Sequence, residues 1–193
     1  TPVLSSGRIS NNWSGLPAEK RLNLNGVQLG ALTPSNGTSV QAKDVAAWVN
    51  NANVPGVRAV AENKIEVPAS QLRLRETLSL NNIAITFPTG GYNSTQELAD
   101  AINNQSSATH VKATLGAQGE LILNNATGHT GEDILVSGSS GLTPNALGLN
   151  GGNFTGQVRL ERTDGTLKTI GLSIGAEGSA ADLQRLGFRA AAY

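Results

Sequence analysis

Few residues in this chain have side chains that could perform chemistry, and they are scattered. The 193 residues include two histidines, no cysteine and no methionine. His110 and His129 do not have the HxxxH or HExxH spacing of zinc motifs, so we expect neither to bind a metal. The adjacent acids Glu132 and Asp133 could offer oxygen ligands to calcium, but no EF-hand pattern surrounds them. We therefore predict no metal site.

Catalytic and cofactor-binding motifs are also missing from the sequence. No GxSxG nucleophile elbow, P-loop or GxGxxG fingerprint occurs. The glycine-rich stretches at 139–141 and 151–152 do not stand between a strand and a long helix, so they are better interpreted as flexible links than as phosphate cradles. We predict no catalytic residue and no cofactor, and we do not expect an enzyme.

Composition and charge exclude several classes of protein. The 14 Lys and Arg residues balance 14 Asp and Glu residues, so no basic surface indicates a nucleic-acid partner. No stretch approaches the roughly 20 apolar residues that a membrane helix needs, and no signal peptide is visible. The lack of cysteine excludes disulfides and thiolate metal sites. Because the chain begins without methionine, we expect a processed protein or a fragment of a longer one.

The elements that must position these residues follow one order twice. In the first stretch, Leu22–Leu29 alternates apolar and polar residues as a half-buried strand does. Thr38 with Gln41 fits a capping box at the start of a helix. The apolar stripe of this helix consists of Val45, Trp48, Val49 and Ala52. Two short strands at 57–59 and 65–67 are then predicted to pair with each other.

The second stretch runs from Leu78 to Leu123 and begins with a strand pattern. Ser94 with Glu97 fits a capping box. The apolar stripe of the helix that follows consists of Leu98, Ala101 and Ile102. Residues 111–115 and 120–123 flank a glycine-containing turn, which predicts a hairpin.

The two stretches align residue by residue at the helix. VAAWVNN at 45–51 matches LADAINN at 98–104, and GVRA at 56–59 matches HVKA at 110–113. A chain that repeats a supersecondary unit takes its architecture from that unit, so we predict two modules of one type.

The remaining segments complete the predicted fold. Residues 1–21 are interpreted as a lead-in loop or edge strand, with Trp13 packed under the first module rather than used for binding. Residues 157–161 and 166–174 flank an Asp-Gly turn, which predicts a hairpin. Ser179 begins a last short helix.

The predicted fold class is therefore α+β and mostly β, with small antiparallel sheets. We expect four segments along the chain. They are a lead-in at 1–21, a first module at 22–72, a second module at 73–150, and a hairpin with a short helix at 151–193 that forms a partial third unit.

The two modules resemble the flagellin IN motif. The resemblance rests on LNLNGVQL, GTSVQAKDVAAWVNN and GVRAVAENKIEV in the first module, and on LSLNNIAI, STQELADAINN and HVKATLGAQGELIL in the second. The second copy departs from the pattern at two turn positions. Asn82 replaces the glycine that follows Asn, and His110 replaces the glycine that precedes Val, so their turn geometry is in question.

The resemblance implies a surface-exposed outer domain of a bacterial flagellar axial protein, either a flagellin or a hook–filament junction protein. Such a protein would be extracellular, in the flagellum, and its partners would be neighbouring subunits of the filament or hook junction. Those partners would be bound through long terminal helices that this chain does not contain, so we expect the fragment to be monomeric.

Two other functions remain open. A filament-cap or adhesin module could bind host glycan or mucin through the aromatic residues Trp13, Trp48 and Tyr92. Exposure of Trp13 and Tyr92 in one cluster would favour that function, and burial of both would favour a structural one. A flagellin-embedded peptidase would need a His-Glu metal constellation, which the sequence spacing does not provide.

Overall fold

The computed structural model describes residues 3–17 and 22–188 and consists of short antiparallel sheets with short helices. The predicted class, α+β and mostly β, is confirmed. The described strands are β1 (Val3–Ser5), β2 (Leu22–Leu24), β3 (Val27–Gln28), β4 (Val57–Glu62), β5 (Lys64–Val67), β6 (Ser79–Leu80), β7 (Ile83–Ala84), β8 (Val111–Leu115), β9 (Leu121–Asn125), β10 (Ile134–Ser137), β11 (Gly152–Phe154), β12 (Gln157–Arg162) and β13 (Leu172–Ile174). The α-helices are α1 (Ala42–Asn51), α2 (Thr95–Asn104), α3 (Ser106–Thr109) and α4 (Ala180–Arg185), and Ala69–Gln71 forms a 3-10 turn.

The chain divides into two compact units. Unit 1 combines Thr1–Glu62 with Thr155–Tyr193, and unit 2 is Asn63–Phe154. Unit 2 therefore interrupts unit 1 in sequence, between β4 and β12. This division differs from the predicted segments at 22–72, 73–150 and 151–193.

Unit 1 contains two three-stranded sheets, with the orders β1-β12-β4 and β13-β2-β3. All their pairings are antiparallel, with Leu160 opposite Ala59 and Leu172 opposite Leu24. The predicted hairpin between 157–161 and 166–174 is therefore wrong. β12 pairs with β1 and β4, where it buries Val158 and Leu160, and β13 pairs with β2, where it buries Leu172. This burial outweighs the local Asp-Gly turn signal.

Unit 2 contains the sheets β5-β9-β8 and β11-β10-β6-β7, again antiparallel. The predicted hairpin of β8 with β9 is confirmed. The predicted pairing of 57–59 with 65–67 is wrong, since β5 pairs with β9 and not with β4. Asn63, between β4 and β5, donates from Nδ2 to the Phe154 carbonyl at 2.7 Å, which joins the first and last residues of unit 2.

α1, α2 and α4 begin at polar caps, and α1 and α2 each pack an apolar stripe against a strand. α1 begins three residues later than predicted, because Gln41 rather than Thr38 is its N-cap and forms a capping box with Asp44. α2 begins at Ser94, whose hydroxyl accepts from the Glu97 amide at 3.1 Å. α4 begins at Ser179, as predicted. No helix within 3–17 and 22–188 has the length and apolar character needed to cross a membrane.

Both departures from the motif keep the left-handed backbone that a glycine would adopt. Asn82 has φ of 63°, close to the 78° of Gly26 at the matching turn of unit 1. His110 has φ of 62°, against 71° for the matching Gly56. Asn tolerates this conformation well, whereas a His there accepts a steric cost that glycine avoids. The φ angle at both positions is therefore close to that of the matching glycine in unit 1.

An asparagine near the C-terminal end of α1 and of α2 hydrogen-bonds to the backbone of an edge strand. Asn103 Nδ2 donates to the Ala113 carbonyl at 2.8 Å, and Asn103 Oδ1 accepts from the Ala113 amide at 2.8 Å. Asn50 makes the same two bonds with Ala59, at 3.0 and 2.9 Å. β4 and β8 are edge strands, so these side chains satisfy backbone groups that would otherwise face solvent or another strand.

Each unit has its own apolar core, built mainly from Leu, Ile, Val and Ala. The core of unit 1 includes Leu22, Leu24, Val45, Val49, Leu160 and Leu183. The core of unit 2 includes Leu80, Leu98, Ile102, Val111, Leu123 and Val136. Burial of one such side chain contributes about 1.5–3 kcal/mol, so the helix stripes and strand faces hold each unit together.

Candidate functional site

The aromatic residues proposed for sugar binding are largely withdrawn from solvent. Trp13 is 3% exposed and packs in the core of unit 1, as the sequence predicts. Tyr92 is 4% exposed in the core of unit 2 and donates its hydroxyl to the Thr86 carbonyl at 2.8 Å. Trp48 is half-buried, with its indole nitrogen donating to the Gly30 carbonyl at 3.1 Å. Neither Trp13 nor Tyr92 offers a ring face on which a sugar could stack.

The environment of Tyr92 keeps its phenol protonated over a wide pH range. Burial, reinforced by the negative charge of Glu97, raises the pKa of Tyr92 to about 12. The Phe87 ring meets the Tyr92 ring edge-on, with centroids 5.6 Å apart and planes at 83°. This arrangement is typical of structural aromatic packing.

The two histidines do not have the sequence spacing of a zinc motif, but their rings lie face to face. Their ring centroids are 3.5 Å apart and the ring planes are inclined by 10°. Glu132 reaches both rings: its Oε2 lies 2.8 Å from His129 Nδ1, and its Oε1 lies 3.6 Å from His110 Nδ1. We call His110, His129 and Glu132 the histidine cluster.

Local backbone structure positions the histidine cluster. His110 follows α3 in the left-handed conformation, directly before β8. The other two members lie in the loop after β9. That loop is tied to His110 itself, since the Ala126 amide donates to the His110 carbonyl at 2.8 Å.

Polar side chains fix the backbone of the loop around Glu132. Asn125 Nδ2 donates to the Glu132 carbonyl at 3.1 Å, and Asn125 Oδ1 accepts from the Gly131 amide at 2.7 Å. Asn63 Nδ2 also donates to the Glu132 carbonyl, at 3.0 Å. These hydrogen bonds to the loop backbone do not involve the carboxylate of Glu132.

The neighbouring acid, Asp133, is directed elsewhere. Its Oδ2 accepts from Asn153 Nδ2 at 2.9 Å. Glu132 and Asp133, which the sequence presents as one acidic pair, thus interact with different neighbours. The sequence contains no local signal for the histidine cluster, because its members come together only when β8 pairs with β9.

Two surface grooves within the described residues are candidates for a ligand site. One groove, of about 480 Å³, lies in unit 2 and is lined by Glu66, Pro68, Ala69, Ser70, Gln118 and Glu120. This lining combines two carboxylates with small or flexible groups and provides no aromatic platform. A second groove of unit 2, of about 250 Å³, is lined by Arg73, Thr143, Pro144, Asn145, Gly148, Leu149 and Asn150.

Comparison with known proteins identifies one segment of the chain. Residues 77–127 match the family model of the flagellin hook IN motif. This range spans β6 to β9, including α2 and the Asn103 contact with Ala113. The match covers less than a third of the chain and supports a flagellar structural protein.

Among the solved structures with a matching chain is the crystal structure of the flagellar cap protein FliD from Helicobacter pylori. The sequences are 12% identical, the alignment covers 97% of this chain and 78% of that one, and the TM-score is 0.29. At these values the similarity carries no assignment by itself. No curated protein matches this sequence.

Proposed function

We propose that this chain is a surface-exposed outer domain of a bacterial flagellar axial protein, a flagellin or a hook–filament junction protein. It would contribute to the outer surface of the filament and so serve motility. The observation that carries the proposal is the flagellin hook IN motif at residues 77–127.

We also propose that unit 1 is a second IN-type unit into which unit 2 is inserted. Its order β1, β2-β3, α1, β4, β12, β13 follows the order β5, β6-β7, α2, β8, β9, β10 of unit 2, with the same strand neighbours. Asn50 and Asn103 make the same pair of bonds to an edge strand. On this proposal, residues 155–188 complete the first unit rather than beginning a third.

A structural role is supported by where the large aromatic side chains lie. Trp13 and Tyr92 are both buried, which is the outcome that favours structure over sugar binding. The domain would contact neighbouring subunits through the rest of the flagellar protein, and by itself we expect it to be monomeric. Size-exclusion chromatography with light scattering measures this directly.

The proposed location can be tested by labelling intact flagella. These 193 residues contain no cysteine, so an introduced thiol is the only one in this domain, and the full-length protein without the substitution gives the labelling background. Leu167 is 81% exposed, and Leu167→Cys in the full-length protein should react with a maleimide dye on motile cells. Ala99 is 1% exposed, and Ala99→Cys is the matched control that should react only after denaturation.

The pattern of the label separates the alternatives. Dye along the filament or at the hook junction supports the proposed role. Dye confined to the filament tip would move the chain to a cap protein, for which a glycan and mucin binding screen is then the appropriate assay. Dye on the cell body but not on flagella would overturn the flagellar role.

A further inference from the structure

We propose that His110, His129 and Glu132 form a binding site for a divalent first-row transition metal of the zinc class. The site lies in unit 2, at the start of β8 and in the loop after β9. It replaces the sequence-based expectation that neither histidine is a ligand, and it does not depend on the flagellar role.

The spacing of the ligand atoms supports this proposal. One ligand atom from each of the three residues can be chosen so that all lie within 4.8 Å of one another. Two donors each about 2.1 Å from a tetrahedral zinc ion are about 3.4 Å apart. The carboxylate of Glu132 already lies 2.8 and 3.6 Å from the two Nδ1 atoms, which brackets that value.

The chemistry of the three groups indicates which metal they would hold. Two imidazole nitrogens with one carboxylate suit zinc, nickel or copper, whereas calcium and magnesium prefer oxygen ligands alone. The fourth position of a tetrahedral ion would be open to water, because the side chains of His110 and His129 are 41% and 33% exposed.

The backbone around the ligands is already ordered. Asn63 and Asn125 hold the Glu132 carbonyl, and Ala126 holds the His110 carbonyl. Binding would therefore order side chains more than backbone, which lowers its entropic cost. The two histidine side chains are also the only imidazoles in the chain, so no competing histidine site exists.

Metal binding requires one rearrangement. A metal bound to an imidazole nitrogen lies near the plane of the ring, because the lone pair does. Two rings stacked at 3.5 Å and nearly parallel cannot both direct a lone pair at one ion. The rings must therefore rotate so that the angle between their planes increases. Their partial exposure leaves room for this rotation, and the ring signals of both histidines should shift together in NMR spectra when the metal is added.

The bound metal would join two segments that are distant in sequence. It would link the residue before β8 to the loop after β9 and so stabilise unit 2 against unfolding. A ligand that binds only the folded state raises the melting temperature with its concentration.

The test is titration of tag-free protein with ZnCl2 by calorimetry, with thermal unfolding in parallel. We expect one zinc per chain and a melting temperature about 5 °C or more higher at free zinc 100-fold above Kd. His129→Ala and Glu132→Gln should each weaken binding at least about tenfold, since even second-shell partners of ligands matter by 10–100-fold. His110→Asn removes the third ligand with a residue that tolerates positive φ.

Asp100→Asn is the matched control, because it removes one carboxylate charge from an exposed position on α2 without touching the cluster. It should bind zinc as the wild type does. Glu132→Gln is expected to keep the fold of the loop, because Asn63 and Asn125 donate to the backbone carbonyl of Glu132 and not to its side chain. A loss of zinc binding in this variant would therefore report the loss of the carboxylate ligand. Absence of 1:1 binding by the wild type, or equal affinity in wild type and His129→Ala, would overturn the proposal.

Discussion

Asn103 and Ala113 are joined by two hydrogen bonds, one in each direction between a helix side chain and an edge-strand backbone. Truncation in Asn103→Ala removes both and leaves the Ala113 amide and carbonyl without these partners. We expect the free energy of unfolding to fall by about 1–2 kcal/mol, measured by urea denaturation. Asn104→Ala, at the next and exposed position, is the control and should cost clearly less. Equal losses in the two variants would contradict this role of Asn103.

The turn at Asn82 gives a second prediction. Asn82 has φ of 63°, a conformation in which a β-branched residue is strained. Asn82→Val should therefore destabilise the protein by about 1 kcal/mol or more, and Asn82→Gly should change stability by less than about 0.5 kcal/mol. Urea denaturation of both variants measures the difference. A Val variant as stable as the Gly variant would show that the turn does not require positive φ.

Substitution and fluorescence of Trp13 can distinguish a buried core residue from a sugar-binding one. Because Trp13 is 3% exposed in the core of unit 1, Trp13→Ala should destabilise the protein by about 3–5 kcal/mol. The fluorescence of Trp13 in the otherwise unchanged protein should not respond to soluble sugars. Because the chain has two tryptophans, Trp48→Phe leaves Trp13 as the source of the signal. A sugar-dependent change in the Trp13 emission would instead support the glycan-binding alternative.

Asp164 should make stability depend on acid pH. The amide and hydroxyl of Thr166, followed by Arg162, lower the pKa of Asp164 from 3.8 to about 2. A lowered folded-state pKa means that the carboxylate stabilises the folded state above about pH 4, and that this contribution is lost as the pH falls toward 2. The melting temperature of the wild type should therefore exceed that of Asp164→Asn near neutral pH, and the gap should close toward pH 2. A gap that stays constant over this range would refute the assignment.

Local elements were predictable because their signals are local. The stripes at Val45 and Val49, and at Leu98 and Ile102, predict α1 and α2 through helical spacing alone. The β8–β9 hairpin follows from two strands around a short glycine-containing turn.

Strand partners distant in sequence could not be predicted in the same way. In the sequence, β4 precedes unit 2 and β12 follows it, and no local pattern indicates that these two strands pair. The Asp164-Gly165 dipeptide does mark a turn, but the strands flanking it enter different sheets. The histidine cluster was missed for the same reason, since His110 and His129 meet only through the pairing of β8 with β9.

The bond from Asn63 to Phe154 has a consequence for the order of folding. Unit 2 is continuous in sequence and can form as soon as its own residues are available, whereas β12 must find β4 across the whole of unit 2. Once unit 2 has folded, the 2.7 Å hydrogen bond from Asn63 Nδ2 to the Phe154 carbonyl keeps its first and last residues together. The chain entropy that is lost when β4 and β12 are brought together has then already been lost in the folding of unit 2. We expect pulsed hydrogen exchange to protect β8 and β9 before β12, and Asn63→Ala to slow the protection of β12 more than that of β9. Folding of unit 2 is thus expected to bring the two sequence segments of unit 1 close together before they pair.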